Sequence, residues 1–289
     1  MHPTCVAVKR NGRGNMRANW GVSRFIGAGI LSGLVLAQLG RAAVPQPETF
    51  EEADRYVHAA SVRLVTALHD SAPGEPVQGE SLRSGKILVA PARQDPCFHV
   101  AHGLVHDWVG TVFLPGVSAQ QVIDLLRDYE QCKRIYQPHV MASRTVSRSS
   151  EEDHFFIVLQ NESVLKKFAL EGHYVSTTVP VESHGGRRWM IVSRSDRLQE
   201  VLDYGEPSER RPPNSASSYI WRLYSFTTLE QGDGGVYMQV EAIALSRDIP
   251  AIFQWFVGPL VNRISRNAMT TTLKQTRAAL AAGSPLAHR

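Results

Sequence analysis

The feature that most limits the fold is a run of strand-like segments over residues 140–246, followed by one long apolar helix. The predicted strands are Val140–Arg148, His154–Gln160, Phe168–Pro180, Arg187–Ser195, Ser218–Leu229 and Val236–Ser246. Glycines at Gly185-Gly186 and in the turn 232–235 join neighbouring strands directly, which indicates antiparallel hairpins. Because a sheet of this kind buries one face, it needs a cover, and the helix predicted over 250–280 supplies it. The pattern predicts an α+β fold.

Two further strands are predicted before this run, over Lys86–Ala90 and Gly103–Leu114. Two short helices follow them, around 118–126 and 128–136, and Ser118 has the character of an N-cap for the first. The two strands and two helices precede the long strand run, so the helices separate an early strand from the rest of the sheet.

An extra helix is predicted near the N-terminus, over 49–69, where apolar residues recur at helical spacing. Its start carries the capping-box pattern Thr49-Phe-Glu-Glu52. We predict that 47–76 forms this helix and a linker. The main domain is then 77–282, and 283–289 is a tail.

The basic charge of the chain is concentrated in its first 46 residues. Six of the 31 Lys and Arg residues lie there without any Asp or Glu, so the remainder has 25 basic and 27 acidic residues. This balance gives no electrostatic reason to expect nucleic acid as a partner. The basic stretch precedes the 15-residue apolar run Phe25–Leu39, which is typical of a signal peptide and predicts one over 1–42. We expect an exported protein, periplasmic or secreted. An N-terminal membrane anchor and a mitochondrial transit peptide are the alternatives.

The densest group of metal-ligating residue types argues against a metal site. It comprises Cys97, His99, His102, His106 and Asp107. On an extended strand, His102 and His106 would lie about 13 Å apart, too far to bind one ion. Neither a nucleophile elbow nor an acid/base pair is present, so no catalytic residue, metal or cofactor is predicted. A disulfide between Cys97 and Cys132 and two separate thiols are both left open.

Three stretches resemble the START-like, helix-grip (SRPBCC) superfamily, which includes polyketide cyclases and lipid-transfer domains. Residues 107–140 (DWVGTVFLPG…) resemble its first strand with the paired short helices. Residues 221–250 (WRLYSFTTLEQGDGG…) resemble its last hairpin, and 253–280 its closing helix. The resemblance implies a curved antiparallel sheet wrapped around a long C-terminal helix, with two short helices after the first strand. It also implies a hydrophobic cavity between sheet and helix.

Large side chains on the strands and helices are the candidates to line this cavity. They are Tyr129, Tyr136, Arg144, Phe156, Tyr174, Trp189, Trp221, Tyr224, Met238, Glu241, Phe253, Phe256 and Leu260. Since strand residues alternate between the two faces, only half of each strand can point inward. Core packing is the alternative for each residue. For the charged ones, the alternatives are solvent exposure or a cross-strand pair between Arg222 and Glu241.

The function expected from this resemblance is binding or carriage of a hydrophobic small molecule, such as a lipid, isoprenoid or polyketide. Transient contact with a membrane would allow ligand pickup. An enzyme of the cyclase/aromatase kind is the alternative, and it would use Tyr136, Arg144, Arg222 or Glu241 in the same cavity. A third hypothesis is a protein with a filled core that acts through its surface. The sequence does not predict the oligomeric state.

Overall fold

A computed structural model describes residues 44–70, 79–95, 97–162, 167–182, 188–202, 204, 210–215, 218–248 and 251–283. Within these ranges, the side chains of 161–162, 167–168, 251–258 and 260 are outside the description. The predicted signal peptide, 1–42, and residues 284–289 of the predicted tail also lie outside the described residues.

The described residues form nine strands in one antiparallel sheet. They are β1 (Ile87–Pro91), β2 (Cys97–Val100), β3 (Gly103–Pro115), β4 (Val140–Arg148), β5 (Asp153–Glu162), β6 (Lys167–Val181), β7 (Arg188–Leu202), β8 (Ile220–Gly232) and β9 (Gly235–Arg247). The order across the sheet is β1-β3-β9-β8-β7-β6-β5-β4, and β2 pairs with β3 beside β1. β4 is the last strand on its side, and its pairing with β5 is interrupted by two irregularities, between Val140 and Ala142 and between Thr145 and Ser147.

Five helices accompany the sheet in the described part of the chain. They are α1 (Pro47–Asp70), α2 (Gly79–Arg83), α3 (Ala119–Arg127), α4 (Cys132–Ile135) and α5 (Ala251–Ala281). The strand, two short helices, strand run and final helix follow one another as the sequence predicts. The helix-grip α+β fold class is therefore confirmed. Of the described helices, none combines the length and the hydropathy that a bilayer span requires.

Side-chain capping explains where two of the helices begin. The predicted cap of α3 is confirmed, because the Ser118 hydroxyl accepts from the Gln121 N–H and the Gln121 side chain accepts from the Ser118 N–H. The predicted capping box at Thr49 is wrong, because α1 already begins at Pro47. Thr49 Oγ1 instead accepts from the Gln46 N–H at 3.0 Å, and Glu52 accepts from the Ala101 N–H at 2.7 Å.

Helices cover both faces of the sheet. We call the face beneath α3, α4 and α5 the inner face; it includes Trp108, Val112 and Met238, which pack with Met269 and Leu273 of α5. The opposite, outer face carries another cluster. There α1 packs Ala53, Ala60 and Leu64 against Val105, Trp221, Phe226, Ile243 and Leu245 of the sheet. The extra helix is thus a second cover, and the strands between the two helical layers bury apolar side chains on both faces.

Gly110 allows α5 to lie close to β3. A Cβ at this position would be 2.6 Å from Met269 Cγ and 2.7 Å from Leu273 Cδ1, too close for any real contact. We expect Gly110→Val to lower the free energy of unfolding by about 1–3 kcal/mol, because overpacking displaces the helix. Denaturant unfolding measures the loss. Gly232→Ala is the matched control, since a Cβ there meets nothing within 4 Å. Equal effects of the two substitutions would contradict the close approach.

Candidate functional site

Two packed clusters occupy opposite parts of the inner face. The first joins β3 and β9 to α3 and to the C-terminal half of α5. The second joins α4 to β4, β5, β6 and β7, and its buried members are Tyr129, Cys132, Val140, Phe155, Leu170, Tyr174 and Leu198. Val240 and Ala242 pack against the first cluster, and Leu223 packs against the second.

A central strip between the clusters is only half-buried. We define it as Ser193 of β7, Leu223 and Ser225 of β8, and Val240 and Ala242 of β9. Ala242 is aligned with Ser225, and Ser225 with Ser193, so the strip runs straight across three strands. On the outer face of the same strands, Phe226 and Ile243 are buried, whereas Val192 and Tyr224 are half-buried. Partial exposure in the middle of a sheet indicates that the packing of the described residues over the strip is incomplete.

Stacked aromatic rings lie next to the strip, where Tyr174 is aligned with Ser195. Tyr129 and Phe155 stack with ring centroids 4.0 Å apart, and Phe155 and Tyr174 with centroids 5.1 Å apart. The Tyr174 ring folds back over Gly172, where a Cβ would come within 2.3 Å of it. The Tyr174 hydroxyl is buried and has no hydrogen-bond partner among the described residues. Burial raises the pKa of Tyr174, so the phenol stays neutral and retains its proton as a donor.

Tyr136 brings a second phenol to the same region. Its hydroxyl lies 3.1 Å from Thr276 Oγ1 of α5, which ties α4 to the closing helix. Burial raises the pKa of Tyr136 to about 12, so this group too is neutral at physiological pH. The Tyr136 and Tyr174 phenols are therefore uncharged, while the Tyr129 hydroxyl donates to the ion-paired carboxylate of Asp153 at 3.2 Å.

Five of the predicted residues do lie on the inner face. They are Tyr129, Tyr136, Tyr174, Trp189 and Met238, and each belongs to or packs against one of the two inner clusters. Met238 is fully enclosed by the first cluster, so core packing accounts for it. The side chains of Phe253, Phe256 and Leu260 lie outside the described residues. Contact of any of these residues with a ligand stays a prediction.

Five other predicted residues lie on the outer face, so their expected place in the cavity is wrong. They are Arg144, Phe156, Trp221, Tyr224 and Glu241. The Arg144 guanidinium lies over the Phe156 ring, 4.9 Å from its centroid. The Tyr224 hydroxyl donates to Asp54 of α1 at 2.8 Å. Strand alternation gives the reason: Phe155, next to Phe156, is the residue that faces inward.

The predicted pair between Arg222 and Glu241 is also wrong. Arg222 donates to Asn214 at 2.8 Å and lies over the Phe50 ring, whereas Glu241 pairs with Arg63 of α1. Of the four polar residues considered for catalysis, Tyr136 is on the inner face, and Arg144, Arg222 and Glu241 are on the outer face. They do not converge on one site.

The outer face holds a buried carboxylate pair beneath α1. Asp107 accepts from the Tyr56 hydroxyl at 2.8 Å, and Glu241 accepts from Arg63. Both carboxyl groups are buried. Burial raises the pKa of Asp107, and it raises that of Glu241 to about 7 with a further contribution from the negative charge of Asp107. Because α1 supplies both partners, its docking and the charge of this pair depend on each other.

The Glu241 carboxyl should therefore make stability depend on pH. Unfolded glutamate ionises near 4.5, while Glu241 in the folded protein keeps its proton to about pH 7. Its contribution is complete below pH 4.5 and is lost as the pH rises through 7. Between pH 5 and pH 8.5, we expect the free energy of unfolding of Glu241→Gln to rise by about 1–3 kcal/mol relative to that of wild type. Denaturant unfolding at the two pH values measures this difference. His106 titrates in both proteins, so its contribution to the pH dependence cancels in the difference. Parallel curves for the two proteins would contradict this.

The histidine-rich segment forms a hydrogen-bonded chain. Cys97 Sγ lies 3.1 Å from His106 Nδ1, and His106 Nε2 lies 2.8 Å from Ser246 Oγ. Burial lowers the pKa of His106 to about 4 and raises that of Cys97, so the imidazole is neutral and the thiol protonated. Cys97 and Cys132 are both free thiols, which excludes the disulfide. In the part of the chain that the structure describes, no three His, Cys, Asp or Glu side chains group as metal ligands.

The sequence reasoning missed the inner-face residues with small or hydroxyl side chains. Ser193, Ser225 and Ala242 of the central strip were not predicted, because only large side chains were considered as cavity lining. Phe155 was not predicted because its neighbour Phe156 was predicted instead. Trp108 was not predicted because only the histidines and Asp107 of its segment were considered as site residues. Alternation offered a usable signal: Ser193 and Ser195 are two residues apart, as are Ser225 and Thr227.

Comparisons with known proteins find similarity to solved structures alone. A scan against protein-family models finds no match, and a search of curated proteins finds none either. Similar solved structures include a STAR-related lipid transfer protein (fragment 25–204) from Xanthomonas axonopodis, at 20% identity over 68% of this chain and 98% of that one, with a TM-score of 0.42. Human StAR-related lipid transfer protein 5 is 13% identical over 80% of this chain and 98% of that one, with a TM-score of 0.44.

A polyketide-pathway protein is similar as well. The di-domain ARO/CYC StfQ from the steffimycin biosynthetic pathway is 14% identical over 60% of this chain and 50% of that one, with a TM-score of 0.40. Identities of this size concern the fold alone. They say nothing about which molecule this chain binds.

Proposed function

We propose that the protein binds and carries a hydrophobic small molecule in the space between the inner face and α5. The observation that carries this proposal is the half-buried central strip, with Leu223, Val240 and Ala242 partly exposed in the middle of the sheet. Apolar side chains left accessible between two closed clusters offer surface that a ligand can cover. The stacked rings of Tyr129, Phe155 and Tyr174 extend this surface.

Burial of apolar surface supplies the affinity for such a ligand. At about 25 cal/mol per Å², a molecule that covers about 300 Å² gains about 7 kcal/mol before the cost of association. The fold-level neighbours named as lipid transfer proteins and as an aromatase/cyclase have ligands of this general kind, and they support the proposal by analogy only.

Catalysis in the same space is the weaker hypothesis. A cyclase-type reaction needs polar groups that converge on the substrate. Of the four residues considered for this, three lie on the outer face, and Tyr136 is occupied by Thr276. The described inner-face residues therefore support binding better than chemistry.

Export to the periplasm or the medium is part of the proposal, with transient membrane contact for ligand pickup. Its support is the leader sequence: the basic stretch, the apolar run Phe25–Leu39 and the small residues that end at Ala42. Purification from the native compartment tests it. A mass that corresponds to loss of about 42 residues is expected, and the full-length mass would contradict cleavage.

Native mass spectrometry and a fluorophore test the binding function together. We expect protein from its own compartment to retain a small molecule, and delipidated protein to take up one equivalent of an apolar fluorophore with enhanced emission. Lipid extracts should displace the fluorophore. If cooperatively folding protein retains nothing and shows no saturable uptake, the binding proposal is wrong.

A further inference from the structure

Six hydroxyl side chains line the floor of the proposed site. We call them the hydroxyl row: Ser176 and Thr178 of β6, Ser193 and Ser195 of β7, and Ser225 and Thr227 of β8. Register places them together, because Ser176 is opposite Ser193 and Ser193 is opposite Ser225. Ser193 donates to Ser176 at 2.9 Å, and Ser195 accepts from the Leu223 N–H. Ser193, Ser225 and Thr178 are half-buried, so their hydroxyls border the space.

Buried polar groups without partners lie at the two ends of this row. Trp108 is aligned with Ala242 and, through it, with Ser225; its indole N–H has no hydrogen-bond partner among the described residues. At the other end, Tyr174 is opposite Ser195, and its hydroxyl also lacks a partner there. These residues are only 6% and 8% exposed. An unmet buried donor is costly, so each is a place where a ligand oxygen would be stabilised.

The helix above the row adds an unmet acceptor. Asn262 Oδ1 is buried and has no partner among the described residues. Asn262 precedes Met269 by two helical turns, which places both on the same side of α5, and Met269 lies over Gly110 of the inner face. Groups that need hydrogen bonds therefore come from the sheet and from the helix.

Among the described residues of the inner face, each charged group beside the row is already paired or is neutral. Glu200 of β7, aligned with Leu170, accepts from the Tyr219 and Ile220 N–H groups and pairs with Arg211 at 3.1 Å. At the β4 side, Asp153 is neutralised by Arg127 at 2.7 Å and by Arg148 at 3.0 Å. At the β3 side, His106 is neutral and bonded to Cys97 and Ser246. A charged head group would lose its hydration there without gaining a counter-ion.

We infer that the ligand is an uncharged amphiphile, with hydroxyl or carbonyl oxygens on an apolar body, held by the hydroxyl row, Trp108, Tyr174 and Asn262. This inference rests on the proposed binding function and names the class of ligand for the same site. It excludes fatty-acid anions and lipids with ionic head groups as the preferred ligands.

Displacement of the apolar fluorophore by matched lipids tests the preference. The pairs are a long-chain alcohol against the fatty acid of equal length at pH 8, and a free sterol against its sulfate. In at least one pair, we expect the neutral member to bind at least ten times more tightly than the anionic member. If both members of the other pair bind, we expect the neutral member to bind more tightly there too. Tighter binding of the anionic members would overturn the inference.

Removal of two hydroxyls tests the role of the row. For Ser193→Ala/Ser225→Ala we expect three- to tenfold weaker binding of the neutral oxygenated ligand and a smaller loss of fluorophore uptake, because an apolar probe does not depend on these hydroxyls for hydrogen bonds. Ser147→Ala, at an exposed position of β4, is the control and should change neither. Equal loss for both ligands, or no loss for either, would overturn the inference. Absence of fluorophore uptake by wild type would instead refute the binding function itself.

Discussion

Trp221→Ala is expected to lower the free energy of unfolding by about 3–5 kcal/mol without weakening ligand binding. Trp221 is fully buried on the outer face, where it packs among residues of β9 and α1. Its ring also lies against Gly103, at 3.2 Å from the position of a Cβ on that residue. The alanine leaves a cavity that β-strand backbones cannot fill by collapse. Chemical denaturation measures the loss, and fluorophore uptake below the new melting temperature measures binding.

Trp221→Phe separates packing from the indole hydrogen bond. The ring is largely kept, so about 1–2 kcal/mol should be lost, including the 3.4 Å bond from the indole N–H to the Ser215 carbonyl. A loss below 1 kcal/mol in the alanine variant would contradict the packing described for Trp221. Loss of fluorophore uptake in well-folded variant protein would show that Trp221 contacts the ligand after all.

Ala242→Phe is expected to weaken uptake of the apolar fluorophore more than tenfold while unfolding stability stays within about 1 kcal/mol of wild type. Ala242 lies in the half-buried central strip, next to Ser225 and in line with Trp108. A phenyl group there occupies the space that the ligand needs. Since that space is already partly open, the larger side chain does not have to displace packed atoms, and it covers its own apolar surface.

Val179→Phe is the matched control for the filling experiment. Val179 is 41% exposed on β6 and is aligned with Met190, an outer-face residue. It should change neither uptake nor stability appreciably. If Ala242→Phe leaves uptake intact, the ligand is bound elsewhere. If it costs several kcal/mol of stability, the strip is already filled and the carrier hypothesis loses its basis.

The element order was predictable from the sequence because local signals agree with one another. Gly-bearing turns separate apolar strands, Ser118 caps α3, and Val140–Arg148 is a strand with the predicted ends. Short elements were not predictable. β2, over Cys97–Val100, has four residues and owes its conformation to pairing with β3. The conformation of such a segment depends on hydrogen bonds to another strand, which the local sequence does not encode.

The face on which each residue lies was much harder to predict. Trp221 and Tyr224 differ in parity, so simple alternation allows only one of them inward. An irregularity between Ile220 and Arg222 shifts the strand by one residue and turns Trp221 to the outer face as well. A bulge of this kind leaves no mark in the residue pattern. The second covering helix also makes the faces hard to predict, because apolar residues of β8 and β9 are buried beneath α1 as well as on the inner face.

The composition of the candidate site was predicted wrongly, because only large side chains were considered as its lining. Large side chains are the predicted lining, yet several of them, such as Tyr129, Tyr174 and Met238, belong to the packed clusters. The accessible floor consists of small residues such as Ser193, Ser225 and Ala242. A cavity needs small side chains where the ligand lies and large ones around it, and only the register between strands reveals that arrangement.

β4 closes one side of an open sheet, and its features govern how molecules of this protein meet one another. A free strand edge is a template for unwanted pairing between chains, which leads to aggregation. The two irregularities in its ladder bend the backbone away from a flat geometry, and Arg144 and Arg148 place positive charge beside it. An approaching strand would have to match a distorted register and bring two like charges close to their copies. β4 therefore discourages growth of the sheet into a polymer and helps to keep the protein dispersed at high concentration.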